Sequence, residues 1–188
     1  TPQPPPAPSR PGHPAHIREL CARRLAHPAA LDPAIVEQPS VTPAGVGTYG
    51  RFLPGRIFDL WVHARDIAIP LGEATDDSGF VAETALQEVD DSIGYIVGKK
   101  IGLTEGRSVV FRVTGGVERD IAVAVGARAT RVDTIDDPTV EVTADVGTFV
   151  MLAAGRIDPQ AQIDAGRITW AGDAEWGERA ARNLAYTR

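Results

Sequence analysis

A histidine flanked by two aspartates is the group of residues in this sequence best suited to chemistry. Asp59, His63 and Asp66 are four and three residues apart within GRIFDLWVHARDIAIPL, residues 55–71. If this stretch is a helix, the spacing puts their side chains on one face, one above another. A carboxylate and an imidazole one turn apart can ligate a divalent metal ion, bind a substrate or pair with an arginine. The same spacing also occurs where the residues have only a structural or surface role.

The surroundings of this polar face favour a bound partner. Apolar residues flank it on both sides, and a charge in such a setting is costly unless something pairs with it. The candidates for that partner are a metal ion, a substrate or an arginine, and Asp66, one turn beyond His63, is expected to orient His63 or to pair with an arginine. The flanking apolar residues are Phe58, Val62, Leu60 and Ile67.

The loop before this helix provides two more candidates. Residues 28–50 are rich in Pro, Gly, Ser and Thr and lack clear periodicity, as functional or irregular loops do. The loop leads into Tyr49 and Arg51, and Pro54 suits the first turn of the helix that follows. Tyr49 and Arg51 are therefore placed to overhang the Asp59/His63 face, where they would contact a substrate or support the ligands. Packing of Tyr49 and solvation of Arg51 are the simpler interpretation.

The composition restricts the class of protein and of partner. The 188 residues carry a net charge of −6, and charges of both signs are mixed throughout, so no basic stripe predicts nucleic-acid binding. The one cysteine, Cys21, allows no intrachain disulfide framework and fits a reducing compartment. No apolar run approaches the ~20 residues of a membrane-spanning helix, and the N-terminus lacks the order of a signal peptide. These features predict a cytoplasmic protein that binds neither nucleic acid nor membranes.

The chain begins with a proline-rich stretch. Residues 1–14 hold seven of the fifteen prolines and are predicted to form an extended tail. Pro14 is expected to end any helix between His13 and His16, which argues against a metal pair there. A short amphipathic helix is predicted from Ala15 onward.

The pattern of apolar residues changes from helical spacing to alternation after residue 99. Before that point, one long helix is predicted over 80–97 and packs on the central helix. A linker is predicted near 99–106, and the remainder, 104–188, is expected to fold independently as an α+β half. Its predicted elements are strands at 108–114, 121–127, 139–144 and 167–172, with helices capped by Asp145 and Asp158 and a final helix from Asp173.

Two stretches of the chain resemble a known family. GTYGRF…RIFDLWVHARDI resembles the signature of the mycothiol-dependent maleylpyruvate isomerase family, whose N-terminal domain is a DinB-like four-helix bundle. VTADVGTFVMLAAGRIDPQAQIDAGRITWAGDAEWGERAARNLAY is similar to the C-terminal domain of that family, which resembles sterol-carrier proteins. The resemblance implies an α+β protein with a partial DinB-like bundle over 15–98 and a small sterol-carrier-like α+β domain over 104–188.

The resemblance also implies a site. In the family, an acidic residue and a histidine one turn apart on this helix bind a divalent metal, and those positions match Asp59 and His63. The third family ligand is a histidine on an earlier helix, and no helix of this chain matches it, so the chain reads as N-terminally truncated. Ala64 stands where the family often carries an acidic residue.

Two functions follow from these features. A metal such as Zn²⁺ would lower the pKa of a bound thiol, so the first is a metal-dependent enzyme that uses mycothiol for isomerisation or thiol transfer on a small electrophilic substrate. The second is a non-catalytic, truncated paralogue that acts as a small-ligand or protein-binding module, in which the C-terminal α+β half holds a small apolar ligand or packs against a partner. An incomplete bundle would leave the face of Ile57, Leu60 and Ala64 uncovered, which favours a homodimer.

Overall fold

The computed structural model describes residues 13–29, 33–42 and 45–187. These residues form helices and two β-sheets, so the predicted α+β class is confirmed. The chain divides after Phe52 into two compact units. Within the described ranges, no helix combines the length and the apolar character needed to cross a membrane.

The first unit contains two helices and a β-hairpin, and it ends with the first residues of a long helix. Strands β1 and β2 pair antiparallel, with Pro39 opposite Thr48. Sequence reasoning predicted an irregular loop here, because Pro and Gly interrupt the alternation that marks a strand. The elements are α1 (His13–Ala29), α2 (Pro33–Val36), β1 (Pro39–Thr42), β2 (Gly45–Thr48) and the start of α3 (Tyr49–Ala68).

Two prolines lie inside helices against the sequence prediction. Helix α1 begins at His13, so Pro14 lies in its first turn, where the missing N–H has no acceptor to lose. The expectation that Pro14 ends a helix was therefore wrong, and residues 1–12 of the predicted tail lie outside the described ranges. Helix α3 begins at Tyr49 rather than near Gly55, so Pro54 lies within it.

The second unit continues α3 and adds further helices before its sheet. A single 3₁₀ turn, Ile69–Leu71, ends at Gly72 with φ 70°. The long helix predicted over 80–97 is divided at Ser92. The helical segments that follow α3 are α4 (Gly79–Asp91), α5 (Ile93–Tyr95) and a π-helical segment (Ile96–Ile101).

Five strands form the sheet of the second unit, in the order β5-β4-β3-β6-β7. Strands β3 and β6 are parallel, and the other neighbours are antiparallel. Four of these strands were predicted; β5 was missed because its four residues are half-buried or exposed and show no apolar alternation. The strands are β3 (Ser108–Thr114), β4 (Arg119–Val125), β5 (Ala129–Val132), β6 (Val140–Asp145) and β7 (Ile168–Gly172).

Three capped helices complete the second unit. The carboxylates of Asp145, Asp158 and Asp173 each accept backbone N–H groups of the first turn that follows. The caps predicted at Asp145 and Asp158 are confirmed. The helices are α6 (Val146–Ala153), α7 (Pro159–Asp164) and α8 (Ala174–Arg182).

One apolar core runs through the second unit. Helix α4 packs against α6 rather than chiefly on α3, because its buried face meets the apolar turns of α6 beside the sheet. The predicted boundary at 99–106 adjoins this core, and the π-helical segment is part of it, with Ile96, Val97 and Ile101 at most 1% exposed. The division into domains at 98 and 104 stays a prediction.

Candidate functional site

Helix α3 brings the three predicted chemical residues onto one face. His63 lies between the two carboxylates, with Nε2 3.3 Å from Asp59 Oδ1 and Nδ1 3.0 Å from Asp66 Oδ2. The side chains of Asp59 and His63 are 45% and 59% exposed, so this face is open to solvent. Its polar residues therefore do not lie in the apolar setting that the sequence suggested.

Two arginines extend this group at both ends. Arg56 Nη1 donates to Asp59 Oδ2 at 2.9 Å, from one turn earlier on α3. Arg156, just after α6, donates from Nε to Asp66 Oδ1 at 2.9 Å and from Nη2 to Oδ2 at 2.5 Å. The result is a row of alternating groups, Arg56–Asp59–His63–Asp66–Arg156, which we call the ion-pair row. Sequence reasoning foresaw an arginine beside Asp66, but nothing in the sequence identified Arg156.

The ion-pair row determines the charge of the Asp66 carboxyl. The hydrogen bonds from Arg156 hold the pKa of Asp66 below its usual value, against the opposing effect of partial burial, and His63 lowers it further. The same contact with Asp66 raises the pKa of Arg156. Asp66 is therefore ionised at neutral pH, and both of its oxygens accept hydrogen bonds.

The side chains of this face supply two of the ligands that a metal site needs. Asp59 and His63 can ligate together, whereas Asp66 is committed to Arg156 and one oxygen of Asp59 is held by Arg56. A catalytic zinc site takes three protein ligands. Over the described part of the chain, no cluster of three or more His, Cys, Asp or Glu is arranged to hold a metal ion. Metal binding by Asp59 and His63 stays a prediction.

The two candidates before the central helix lie in the first unit. Tyr49 is the first residue of α3, half-buried, with its ring centroid 6.3 Å from that of Phe52. Arg51 is exposed, and its backbone N–H donates to Thr48 Oγ1 at 3.1 Å. Their predicted role toward the Asp59/His63 face stays a prediction.

A groove runs beside a different face of α3. Its volume is about 640 Å³, and it lies between α3, the connector that follows it, residues 72–78, and the start of α4. We call it the α3/α4 groove. Leu60 and Ala64 lie on the α3 side, and Phe80 and Val81 lie on the α4 side. Leu60 is 62% exposed and Phe80 is 70% exposed, so both edges present apolar surface to solvent.

The floor of the α3/α4 groove is a stacked tryptophan and arginine. Trp61 and Arg65 are 3% and 5% exposed, and the guanidinium carbon of Arg65 lies 3.2 Å from the centroid of the Trp61 ring. Arg65 donates from Nη1 to the Trp61 carbonyl at 3.1 Å and from Nε to Asp77 Oδ1 at 3.1 Å. Its Nη2 donates to the Asp76 carbonyl and to Asp77. Arg65 thus ties the connector to α3.

Two glycines allow the connector to pack closely against the β3–β4 turn and α6. A Cβ atom at Gly116, in the β3–β4 turn, would lie 2.2 Å from the carbonyl oxygen of Asp77. A Cβ atom at Gly147, in α6, would lie 2.5 Å from Asp77 Oδ2. Only glycine allows this close approach, so Asp77 is fixed by Arg65 on one side and by the sheet and α6 on the other.

One polar atom of the groove floor is buried without a hydrogen-bond partner in the described part of the chain. Trp61 Nε1 is buried and has no hydrogen-bond partner among residues 13–29, 33–42 and 45–187. Sequence reasoning did not single out Trp61 or Arg65. Their spacing of four residues on one helix was the available signal, since it places an aromatic ring under a guanidinium.

No protein-family model matches the chain, and no curated protein matches it. Among solved structures, the chain is similar to sterol carrier protein 2 from Yarrowia lipolytica, with 13% identity over 53% of this chain and 91% of that one, at a TM-score of 0.38. It is similar to sterol carrier protein 2 like 2 from Aedes aegypti, with 12% identity over 53% and 93%, at 0.40. It is also similar to sterol carrier protein domain 2 of Helicoverpa armigera, with 18% identity over 51% and 84%, at 0.37.

These are likenesses in fold over about half of the chain. Sterol carrier proteins are also a class that the sequence resemblance named. No residue role, ligand or activity is carried from them to this chain. The resemblance to a mycothiol-dependent isomerase and to a DinB-like bundle stays a prediction.

Proposed function

We propose that this protein binds a small, largely apolar molecule in the α3/α4 groove and does not convert it chemically. The observation that carries the proposal is a concave volume of about 640 Å³ with apolar edges over a fixed floor. That volume lies within the range of small-molecule sites, which is about 300–1,000 Å³. The binding-module alternative of the sequence analysis had the C-terminal α+β half hold the ligand; the proposal keeps the class of function and moves the site to the α3/α4 groove.

The edges of the groove supply the driving force. Leu60 and Phe80 are large apolar side chains that are mostly exposed, and they lie on the two sides of one depression. A ligand seated between them removes apolar surface from water on both sides at once. Isolated exposed apolar residues are ordinary on protein surfaces, whereas a concave group of them is typical of binding sites.

The floor of the groove is preorganised for a ligand. Arg65 holds the connector through the Asp76 carbonyl and Asp77, and stacks on Trp61. A groove held in this way loses little conformational entropy on binding. This rigidity favours a ligand of defined shape over an adaptable protein surface.

A filled-groove variant tests the proposal. N-phenyl-1-naphthylamine is an uncharged probe whose fluorescence rises in apolar surroundings. We expect it to bind the wild-type protein and to bind Ala64→Trp at least tenfold more weakly, because the indole would occupy the groove. Ala161→Trp, at an exposed alanine of α7, is the matched control and should bind as the wild type does. Equal affinity of Ala64→Trp and the control would contradict the proposal.

A metal-dependent, mycothiol-using enzyme is the second candidate. The observation that favours it is the pair of Asp59 and His63, which lie 3.3 Å apart on an exposed face. A divalent metal there would lower the pKa of a bound thiol. Asp59 would ligate through the oxygen that Arg56 does not hold, and a third ligand would have to be supplied.

A homodimer is an alternative use of the same apolar surface. Of the face that the sequence analysis expected to be uncovered, Leu60 and Ala64 are exposed and Ile57 is half-buried. A second copy packed there would compete with a small ligand, so the two proposals predict opposite responses to the probe. The probe should dissociate a dimer formed through this face, and it should leave the sedimentation coefficient of a monomer unchanged.

A further inference from the structure

The indole N–H of Trp61 is the feature of the groove that its apolar walls do not explain. Trp61 lines the groove, and its Nε1 has no hydrogen-bond partner within the described ranges. An indole nitrogen can only donate, so nothing but an acceptor can satisfy it. A buried donor left without an acceptor costs free energy, which a ligand that supplies the acceptor would recover.

The stack with Arg65 keeps this donor in place. The guanidinium covers one face of the Trp61 ring and is itself held by three acceptor groups on the backbone and on Asp77. Rotation of the ring would break its stack with the guanidinium. Because Nε1 is shielded from solvent, pairing with a ligand requires a side chain that lines the groove to change rotamer, which exposed side chains do within nanoseconds.

The charges around the groove disfavour an anionic ligand. Every nitrogen of Arg65 already has an acceptor, and Asp77 balances its charge. Asp76 is exposed and adds a further negative charge, and hydrogen bonds from Ser78 hold the pKa of its carboxyl below the usual value. A carboxylate or phosphate in the groove would therefore meet repulsion and find no free cation on its floor.

We infer that the groove selects neutral molecules that have an apolar body and one hydrogen-bond acceptor, such as a ketone, ester or alcohol oxygen, which pairs with Trp61 Nε1. The inference rests on the function proposed above and narrows its ligand class. The apolar body lies along Leu60, Ala64 and Phe80, and the oxygen faces the floor.

Three matched compounds test the inference by displacement of N-phenyl-1-naphthylamine: naphthalene, 2-acetylnaphthalene and 2-naphthoate. We expect Trp61→Phe to weaken 2-acetylnaphthalene about tenfold, as expected for one lost hydrogen bond, and to leave naphthalene unchanged. We expect 2-naphthoate to bind the wild-type protein more weakly than the ketone, and Asp76→Asn to reduce that difference. Equal effects of Trp61→Phe on naphthalene and the ketone would overturn the inference.

A second measurement follows ligand binding in the wild-type protein and needs variants only to assign its signals. The chain has three tryptophans, whose indole N–H groups give separate signals in a ¹H–¹⁵N spectrum. Trp170→Phe and Trp176→Phe assign the Trp61 signal by elimination. We expect 2-acetylnaphthalene to move the Trp61 signal downfield, and naphthalene not to do so.

The outcomes separate the two proposals. If neither naphthalene nor the ketone binds, the proposed function fails. If both bind with no downfield shift and no dependence on Trp61, the groove binds ligands but the inference about the acceptor is wrong.

Discussion

Arg156 binds both carboxylate oxygens of Asp66, across 90 residues of sequence. The guanidinium donates from Nε at 2.9 Å and from Nη2 at 2.5 Å, so the turn after α6 is fastened to α3 by a two-point ion pair. The same carboxylate accepts a hydrogen bond from His63 Nδ1 at 3.0 Å. This contact joins the predicted chemical face of α3 to the α+β half of the second unit.

Asp66 should make the stability of the protein depend on pH in acid. Its folded pKa is lowered, chiefly by Arg156, so the unfolded chain takes up the proton first as the pH falls. Its contribution is complete above about pH 5, begins to fall near pH 4, the ordinary aspartate pKa, and is lost progressively as the pH falls through the lower folded pKa. Asp66→Asn should lower the free energy of unfolding by about 1 kcal/mol at pH 7.

Urea denaturation at pH 7, 5 and 3 measures this dependence. The difference between the wild-type protein and Asp66→Asn should shrink as the pH falls. Asp136→Asn, at an exposed carboxylate of the β5–β6 loop, controls for the loss of one negative charge. A difference that is constant over this range would show that Asp66 does not cause the pH dependence.

Of the charged residues of α3, Arg65 should be the one whose substitution lowers the stability of the protein most. Arg65→Met removes the ion pair with Asp77 and the hydrogen bonds to two carbonyl groups, while the buried stem is retained. Loss of one partner of a fully buried pair costs about 3–5 kcal/mol. Because the side chain of Asp77 is 33% exposed and regains water, we expect about 2–3 kcal/mol.

The control for this prediction is Arg56→Met on the same helix. The pair of Arg56 and Asp59 is about half exposed on both sides, and such pairs contribute within about 0.5 kcal/mol. Thermal and urea unfolding of both variants measure the difference. Similar losses at the two positions would show that Arg65 does not hold the connector.

The core of the second unit predicts that a fragment beginning at residue 104 does not fold on its own. Such a fragment lacks six aliphatic side chains that are at most 1% exposed, and each contributes about 1.5–3 kcal/mol when buried. Their sum is comparable to the whole stability of a domain, about 5–15 kcal/mol. The six are Leu86, Val89, Ile93, Ile96, Val97 and Ile101.

Fragments 53–188 and 104–188 test this expectation. The longer one corresponds to the second compact unit and should unfold in a single cooperative transition. The shorter one should show no cooperative transition by circular dichroism. If 104–188 unfolds cooperatively, the original prediction of an independent α+β half stands.

Zinc titration tests the metal hypothesis for α3. Two protein ligands should bind Zn²⁺ weakly, and His63→Ala should abolish the binding. Arg56→Gln should tighten it, because it frees an oxygen of Asp59. Asp66→Asn should weaken it about tenfold, through the orientation of His63. Retention of zinc by His63→Ala would place any metal elsewhere.

Local signals in the sequence predicted much of the second unit. The caps at Asp145 and Asp158 depend on side chains that bond to backbone within three residues. The alternation in β3 and β6 reflects burial of one sheet face, which sequence spacing reports directly. The alignment of Asp59, His63 and Asp66 follows from helix geometry alone.

The features that sequence reasoning missed depend on contacts between distant residues. Arg156 is one of many arginines in the chain, and only the fold brings it to Asp66. The floor of the groove requires the connector to return over α3, which places Asp77 against Arg65. No local pattern around Trp61 indicates that its indole N–H is left without an acceptor.

The packing of α4 on α6 has a consequence for synthesis on the ribosome. The apolar face of α4 leaves the ribosome about 60 residues before α6 does, a delay of about 3–12 s at 5–20 residues per second. During that interval Leu86 and Val89 have no permanent cover, although they are fully buried in the finished protein. The nascent chain should therefore be a substrate for chaperones that bind exposed aliphatic segments, and slower translation between residues 90 and 146 should increase aggregation.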